Sequence, residues 1–369
     1  MSSTPNDAPL IAIDARPLYK QHDGMSRYLW ELVDALGRRD DLRLLLIAHR
    51  PLAARTLPPG VELLIDDAWA RLPGTLWFAW RFAGLARRAG ASAVWGPQQV
   101  LPPWGLRGLR SLLTLHDLVF LRYPQTMQAH NRLVSALLLR RSLRRAQQVV
   151  CISRFTRQEL QQLCPGWVPA QRQHVIHNAR TALPAAEPLP GLPPQYLFCL
   201  GSLEPRKNLL RVVDCLALLR AELPELKLVL AGGAAWGGSA LERRIAELGL
   251  QQSVVFAGRL SDGQIRSALA GCAAAVFASR YEGFGLPVLE AAGIAPRQLL
   301  NDIPVLREVA ELLPPSALAF APFDEPERAA QVALQLLRQP PQPGDAATVR
   351  GWELAAGEYA ALLRDGAPS

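Results

Sequence analysis

Short apolar runs alternate with longer amphipathic ones along this chain, and the alternation runs twice. Leu10-Ile11-Ala12-Ile13 is apolar at every position, as in a strand buried on both faces of a parallel sheet. Gly24 to Leu36 follows as a helix and Leu42 to Ala48 as a strand. Leu76 to Ala89 reads as helical, Ala93 to Trp95 and Ser111 to Leu115 as strands, and Asn131 to Arg145 as a long basic helix. Gln148 to Ile152 is a strand that leads into a helix after Ser153. Five prolines then crowd Arg180 to Gln195, which predicts a linker. The second alternation has strands at Tyr196–Leu200, Lys227–Ala231, Val254–Ala257 and Ala274–Ala278. Its helices fall at Leu209–Ala221, Ala240–Leu248 and Asp262–Ala270. After a second proline-rich piece, Gln339 to Gly344, a last helix covers Val349 to Leu363. The pattern predicts an α/β protein of two doubly wound domains facing a cleft.

Composition sharpens this outline. Half of the 369 residues are hydrophobic, which excludes a disordered or fibrous chain and suffices for two cores. The formal charge of +8 is unevenly spread: up to residue 185 there are 24 basic residues against 12 acidic, and beyond it 16 against 20. A basic first domain suggests an anionic partner, unless the excess is only a compositional habit of using arginine. The five cysteines (Cys151, Cys164, Cys199, Cys215, Cys272) form no C-x-x-C pair and sit in apolar stretches, which suits a reducing compartment. Met1 to Pro9 is polar and acidic, unlike a signal peptide, and no apolar run is long enough to span a bilayer. A cytoplasmic protein is expected, peripheral at most to the inner face of the membrane.

Candidate chemistry lies in loops that follow strands, where open α/β sheets bind ligands. The first is Gly201-Ser202-Leu203-Glu204-Pro205-Arg206-Lys207-Asn208. Two cations at the start of a helix oppose its dipole unless an anion is present, so Arg206 and Lys207 mark either a phosphate site or a solvated pair. The second is Ser279-Arg280-Tyr281-Glu282-Gly283-Phe284-Gly285-Leu286-Pro287, followed by Glu290 one turn into a helix. The glycines let backbone approach a ligand, and two carboxylates separated by such a loop can grip different parts of one molecule, hydroxyls of a sugar above all.

The Glu282-x7-Glu290 pair around Gly-Phe-Gly-Leu-Pro resembles the signature of the retaining nucleotide-sugar glycosyltransferases of the GT4 type, which have the GT-B fold. Gly201 to Asn208 resembles their diphosphate loop, and Asp302-Ile303-Pro304-Val305-Leu306-Arg307-Glu308-Val309 the segment after the second glutamate. In the first half, Asp14-Ala15-Arg16-Pro17-Leu18, Gly24-Met25-Ser26-Arg27-Tyr28, Trp95-Gly96-Pro97, Leu115-His116-Asp117-Leu118 and Ile152-Ser153-Arg154-Phe155-Thr156 match further stations in order.

The resemblance implies a domain at 1–185 that binds acceptor, a nucleotide-sugar domain at 186–345, and a crossover helix and tail at 346–369. It implies that His116 contacts the donor sugar and helps align the acceptor, and that Glu282 holds donor hydroxyls near the reacting carbon. Arg206 and Lys207 would neutralise the departing diphosphate, and Glu290 would bind the ribose. Gly24 would approach the phosphates, while Phe284, Gly285 and Leu286 would donate backbone N–H groups and Ser202 would join the donor-binding set. Transfer without a metal or other cofactor is implied.

Departures from the family pattern are Ser202 itself, and Gly293-Ile294-Ala295-Pro296-Arg297, whose proline falls one step early. His177 reads as structural. A nicotinamide dehydrogenase is disfavoured because Gly232-Gly233-Ala234-Ala235-Trp236-Gly237 fails the Gly-x-Gly-x-x-Gly spacing. An epimerase fits the two glutamates poorly, and an inactive scaffold or membrane-surface protein has no reason to keep Glu282, Glu290, Arg206, Lys207 and His116 together. The partners implied are a nucleotide-diphosphate sugar, with GDP-mannose first and rhamnosyl or glucosyl donors next, and a glycan acceptor linked to polyprenyl diphosphate, as in surface-polysaccharide or O-antigen assembly. Nucleic acid is not expected. Two basic amphipathic stretches, Asn131–Arg145 and Leu76–Arg88 with Trp77, Phe78, Trp80 and Phe82, are either membrane-facing or ordinary helices with solvated arginines.

Overall fold

The computed structural model describes residues 8–20, 24–53, 55–123, 129–233 and 238–365. Residues 1–7 of the polar N-terminus and 234–237 of the rejected glycine fingerprint lie outside these, as do the side chains of Arg132, Leu133 and Val134. The chain divides into two compact units, Met1–Ala179 with Gly351–Ser369, and Arg180–Arg350.

In the first unit seven strands, β1 (Leu10–Asp14), β2 (Arg43–Ala48), β3 (Val61–Ile65), β4 (Ala93–Gly96), β5 (Arg110–Leu115), β6 (Gln148–Cys151) and β7 (Gln173–Val175), form one sheet in the order β3-β2-β1-β4-β5-β6-β7. Every pair is parallel. The central β1 is buried throughout, as its unbroken apolar run requires. Helices α1 (Gly24–Gly37), α2 (Gly74–Trp77), α3 (Ala83–Arg88), α4 (Val119–Arg122), α5 (Ala129–Arg145) and α6 (Arg154–Leu163) connect the strands. Ser153 starts α6 by accepting a hydrogen bond from the Thr156 N–H. The helix expected over Leu76–Ala89 is interrupted: Phe78–Phe82 form a π-helical turn between α2 and α3.

In the second unit β8 (Tyr196–Leu200), β9 (Lys227–Ala231), β10 (Val254–Gly258), β11 (Ala274–Phe277), β12 (Gln298–Asn301) and β13 (Leu318–Ala321) pair in the order β10-β9-β8-β11-β12-β13. All pairs are again parallel. The helices are α7 (Leu209–Leu219), α8 (Gly238–Glu247), α9 (Asp262–Gly271), α10 (Leu286–Ala291), α11 (Pro304–Ala310) and α12 (Pro326–Arg338). The proline-rich stretch after Arg180 is not a free linker. Its Glu187 N–H donates to Gly263 O, its carbonyl accepts from Ser267 Oγ, and its carboxylate accepts from Ser261 Oγ at the start of α9.

The last helix, α13 (Trp352–Asp365), belongs to the first unit and packs along α1. Tyr359 Oη lies 2.7 Å from Tyr28 Oη and 3.2 Å from Thr114 Oγ1, and Trp95 Nε1 donates to the same Thr114 oxygen at 3.0 Å. These polar groups are buried, so each needs its partner, and together they fix α13 over β4 and β5.

Candidate functional site

In each sheet the strand order reverses between two neighbours, β1 and β4 in the first unit and β8 and β11 in the second. Loops that leave such neighbours go to opposite faces and leave a crevice at the carboxyl ends. In the second unit those two loops are Gly201–Asn208 and Ser279–Gly285, the two stretches with candidate chemistry. A backbone hydrogen bond from Arg280 N to Arg206 O, 2.9 Å, ties them together.

Arg206 and Lys207 do not begin α7. They occupy a separate 3-10 turn, Pro205–Lys207, closed by Asn208 in the left-handed conformation (φ 59°) one residue before the helix. The turn faces both cations toward the second loop. Arg206 Nη1 donates to Glu282 Oε2 at 2.7 Å and to Tyr281 O at 3.0 Å. Lys207 Nζ donates to Glu282 Oε1 at 2.7 Å. The anion that the two cations imply is thus, in this state, a carboxylate of the same unit. Burial alone would raise the Glu282 pKa, but the Lys207 and Arg206 charges and a Ser279 hydrogen bond override it and hold the pKa down to about 2. Ser202 reaches the cluster through Glu204: its hydroxyl donates to Glu204, whose other oxygen lies 3.4 Å from Arg206 Nη2.

The rest of the second loop is built to hold this geometry. Tyr281 and Phe284 are buried, and Asn301 at the end of β12 donates to Ser279 O at 3.0 Å. Gly285 has φ 115°, a conformation closed to most side chains, and with Pro287 in the first turn it starts α10. Leu286 is the first residue of that helix, and Glu290, buried, lies in it with the positive field of Arg180 upon it. A cavity of about 30 Å³ remains between Lys207, Ser279, Glu282 and Gly285, room for one water. A larger one of about 400 Å³ lies against α7 and α8, and neither glutamate of the pair lines it.

The first unit carries His116 and Gly24. His116 follows β5, and its Nε2 donates to Pro97 O, beyond β4, at 2.7 Å. That bond leaves Nδ1 as the acceptor, and burial presses the pKa down to about 4, so the ring is neutral near pH 7. Its edge meets Tyr28 with centroids 4.6 Å apart. Gly24 opens the same helix one turn earlier, exposed and with open space where a side chain would stand.

Several residues at these strand ends carry no role in the sequence reading. Asp14, fully buried at the end of β1, takes two hydrogen bonds from the Arg16 guanidinium (2.8 and 2.7 Å), one from the Arg16 N–H (3.2 Å) and one from the Gln98 amide (2.7 Å). His49, after β2, shares a 2.7 Å hydrogen bond between its Nδ1 and Tyr19 Oη and stacks on Trp77. Arg259, after β10, lays its guanidinium against Gly233. Asp14 stands in a motif matched above, whereas only their position after a strand could have singled out His49 and Arg259. Arg297, at the end of the departing segment, donates to Gln339 O and Ala273 O and braces the start of β12. Among the described residues no group of three or more His, Cys, Asp or Glu could hold a metal ion.

Comparison with known proteins follows this division. A family model described as Glycosyl transferases group 1 matches residues 186–347, and one described as Glycosyltransferase Family 4 matches residues 22–180. The chain is 25% identical over 326 residues, 81% of its length and 84% of the relative's, to O-antigen chain mannosyltransferase B of Escherichia coli. A shorter likeness of 38% over 99 residues covers 25% of this chain and 26% of the GDP-mannose:cellobiosyl-diphosphopolyprenol alpha-mannosyltransferase of Xanthomonas oryzae pv. oryzae. In fold it is similar to the sucrose-phosphate synthase of Thermosynechococcus elongatus, with TM-score 0.68 at 19% identity over 97% of this chain and 95% of the other.

Proposed function

Because this chain belongs to the GT4-type glycosyltransferases, by the two family models that divide it between them, we propose that it moves mannose from GDP-mannose, with retention, onto a lipid-linked glycan in O-antigen or related surface-polysaccharide synthesis. The names of its relatives support the sugar and the acceptor class: two are mannosyltransferases, and one takes GDP-mannose and a diphosphopolyprenol-linked substrate. The observation that carries the chemistry is Glu282 held between Arg206 and Lys207 at the strand-order reversal.

On this reading the carboxylate keeps the place of the diphosphate until the donor arrives. A diphosphate brings more charge than Glu282 and draws Arg206 and Lys207 onto its oxygens. Glu282 is then free to accept hydrogen bonds from the sugar hydroxyls. As the sugar C1–O bond to the diphosphate breaks, its electron pair leaves with the nucleoside diphosphate, whose growing charge the two cations stabilise. The acceptor oxygen bonds to C1 on the same face and passes its proton to a departing phosphate oxygen. Glu290 takes the ribose hydroxyls, and the Gly285 and Leu286 backbone faces the distal phosphate. His116, neutral, offers Nδ1 as an acceptor to a sugar hydroxyl.

Calorimetry with GDP, UDP, dTDP and ADP, beside Glu290→Ala, tests the donor site. GDP is expected to bind, and Glu290→Ala to weaken it about tenfold or more through the lost ribose bonds. Preference for another nucleotide would change the donor, and no binding near millimolar would turn the reading toward an inactive scaffold.

A further inference from the structure

We propose that an exposed face of the first unit, centred on Trp80, Trp104 and Arg141, docks on an anionic lipid bilayer. The inference goes beyond the transfer reaction and stands on three observations. The first is charge. Between Asp67 and Glu159 the sequence holds fourteen arginines and a single carboxylate, Asp117, which is engaged in capping the Val119 N–H.

The second is how the aromatic residues divide. Trp77, Phe78 and Phe82 are buried core residues and available to nothing outside. Trp80, inside the π-helical turn, is turned out and 64% exposed. Its ring lies 4.8 Å from that of Trp104, itself 43% exposed. The pair is held in place rather than loose: Arg141 of α5 donates to Pro103 O at 3.1 and 2.8 Å and sets its guanidinium 5.8 Å from the Trp104 ring.

The third is what surrounds them. Leu137 and Leu138, four and three residues before Arg141 on α5, are exposed, as is Leu76 four residues before Trp80. No helix among the described residues is long and apolar enough to cross a membrane. Indoles settle at the headgroup level with their N–H toward water, leucines reach the acyl boundary, and arginines meet anionic headgroups. A nucleic acid would satisfy the arginines and could stack on the indoles, but it offers no apolar phase for three exposed leucines. A second copy would set one arginine-rich surface against another.

The test is co-sedimentation of the whole chain with vesicles of phosphatidylcholine alone and of phosphatidylcholine with phosphatidylglycerol. Binding to the anionic vesicles only, weakened by salt, is expected. Trp80→Ser with Trp104→Ser should lower it by roughly tenfold or more, while GDP affinity and the circular dichroism spectrum stay unchanged. If the double variant misfolds, Leu137→Glu on the exposed face of α5 carries the same expectation. Absence of binding to anionic vesicles, or binding undiminished by these changes, overturns the proposal. So does tighter binding to duplex DNA, or a dimer in sedimentation velocity that the variants dissociate. No donor or acceptor is present in these measurements, so a negative result leaves the transferase reading as it stands.

Discussion

At the residue scale, the proposed function gives Glu282 two purposes that pull in opposite directions. Glu282→Gln keeps the side chain's shape and removes its charge, so Arg206 and Lys207 lose their internal anion. Nucleoside diphosphate should then bind more tightly while transfer slows by about 10²–10³-fold. Calorimetry beside initial rates reads both, and a variant that loses both would make Glu282 a scaffold residue. The pH dependence has a definite sign. With its pKa lowered to about 2, Glu282 contributes stability that is complete above about pH 4.5 and is lost as pH falls through 2. It therefore adds no step to a pH–rate profile near neutrality. His116 is likewise depressed, to about 4, so its contribution is complete above about pH 6.5 and lost as pH falls through 4. His49 and His174 are shifted the same way by burial, so the informative quantity is a difference. Between pH 7 and 4.5 the urea midpoint should fall less in His116→Gln than in the unaltered protein.

At the element scale, α10 depends on one backbone angle. Gly285→Ala places a methyl group at φ 115°, 3.2 Å from Leu306 Cδ2, and should cost about 1–3 kcal/mol together with some nucleotide affinity. Ser261→Ala removes the capping box of α9 and should cost about 1 kcal/mol while nucleotide affinity stays unchanged. Thermal melts beside calorimetry separate the two. The same scale shows what the sequence exposes. Buried central strands such as β1 and β8 are plain in their apolar runs, and so is Ser153 as the start of a helix. The edge strands β3 and β7 are not, because Val-Glu-Leu-Leu-Ile and Gln-His-Val are only partly buried and mix polar with apolar positions. Gln298 and Asn301 break the run of β12 in the same way. The glutamates and cations of the site were legible as residues, but their ion pairs were not, since those depend on β8 and β11 being neighbours. The π-helical turn that exposes Trp80 has no signature in a local pattern.

At the scale of the whole molecule, the first unit is assembled from two distant pieces of chain. Tyr359 on α13 reaches Tyr28 on α1 and Thr114 on β5, across 331 and 245 positions of sequence. Tyr359→Phe leaves Tyr28 with its Thr114 bond and should cost about 1 kcal/mol in thermal unfolding. Removing 351–369 is a different matter, because Trp352, Tyr359 and Leu363 are buried side chains of that unit. Their loss uncovers the apolar face of α1 and should abolish its cooperative melt, while GDP binding, proposed above for the other unit, should persist.

The return of α13 also orders events during synthesis. Residues 180–350 form a contiguous unit, complete as soon as that stretch has left the ribosome. The earlier unit, although its strands emerge first, waits with the side of α1 uncovered until residue 363 has followed. The domain begun first is finished last, and throughout that interval its unclosed surface is what a chaperone would meet.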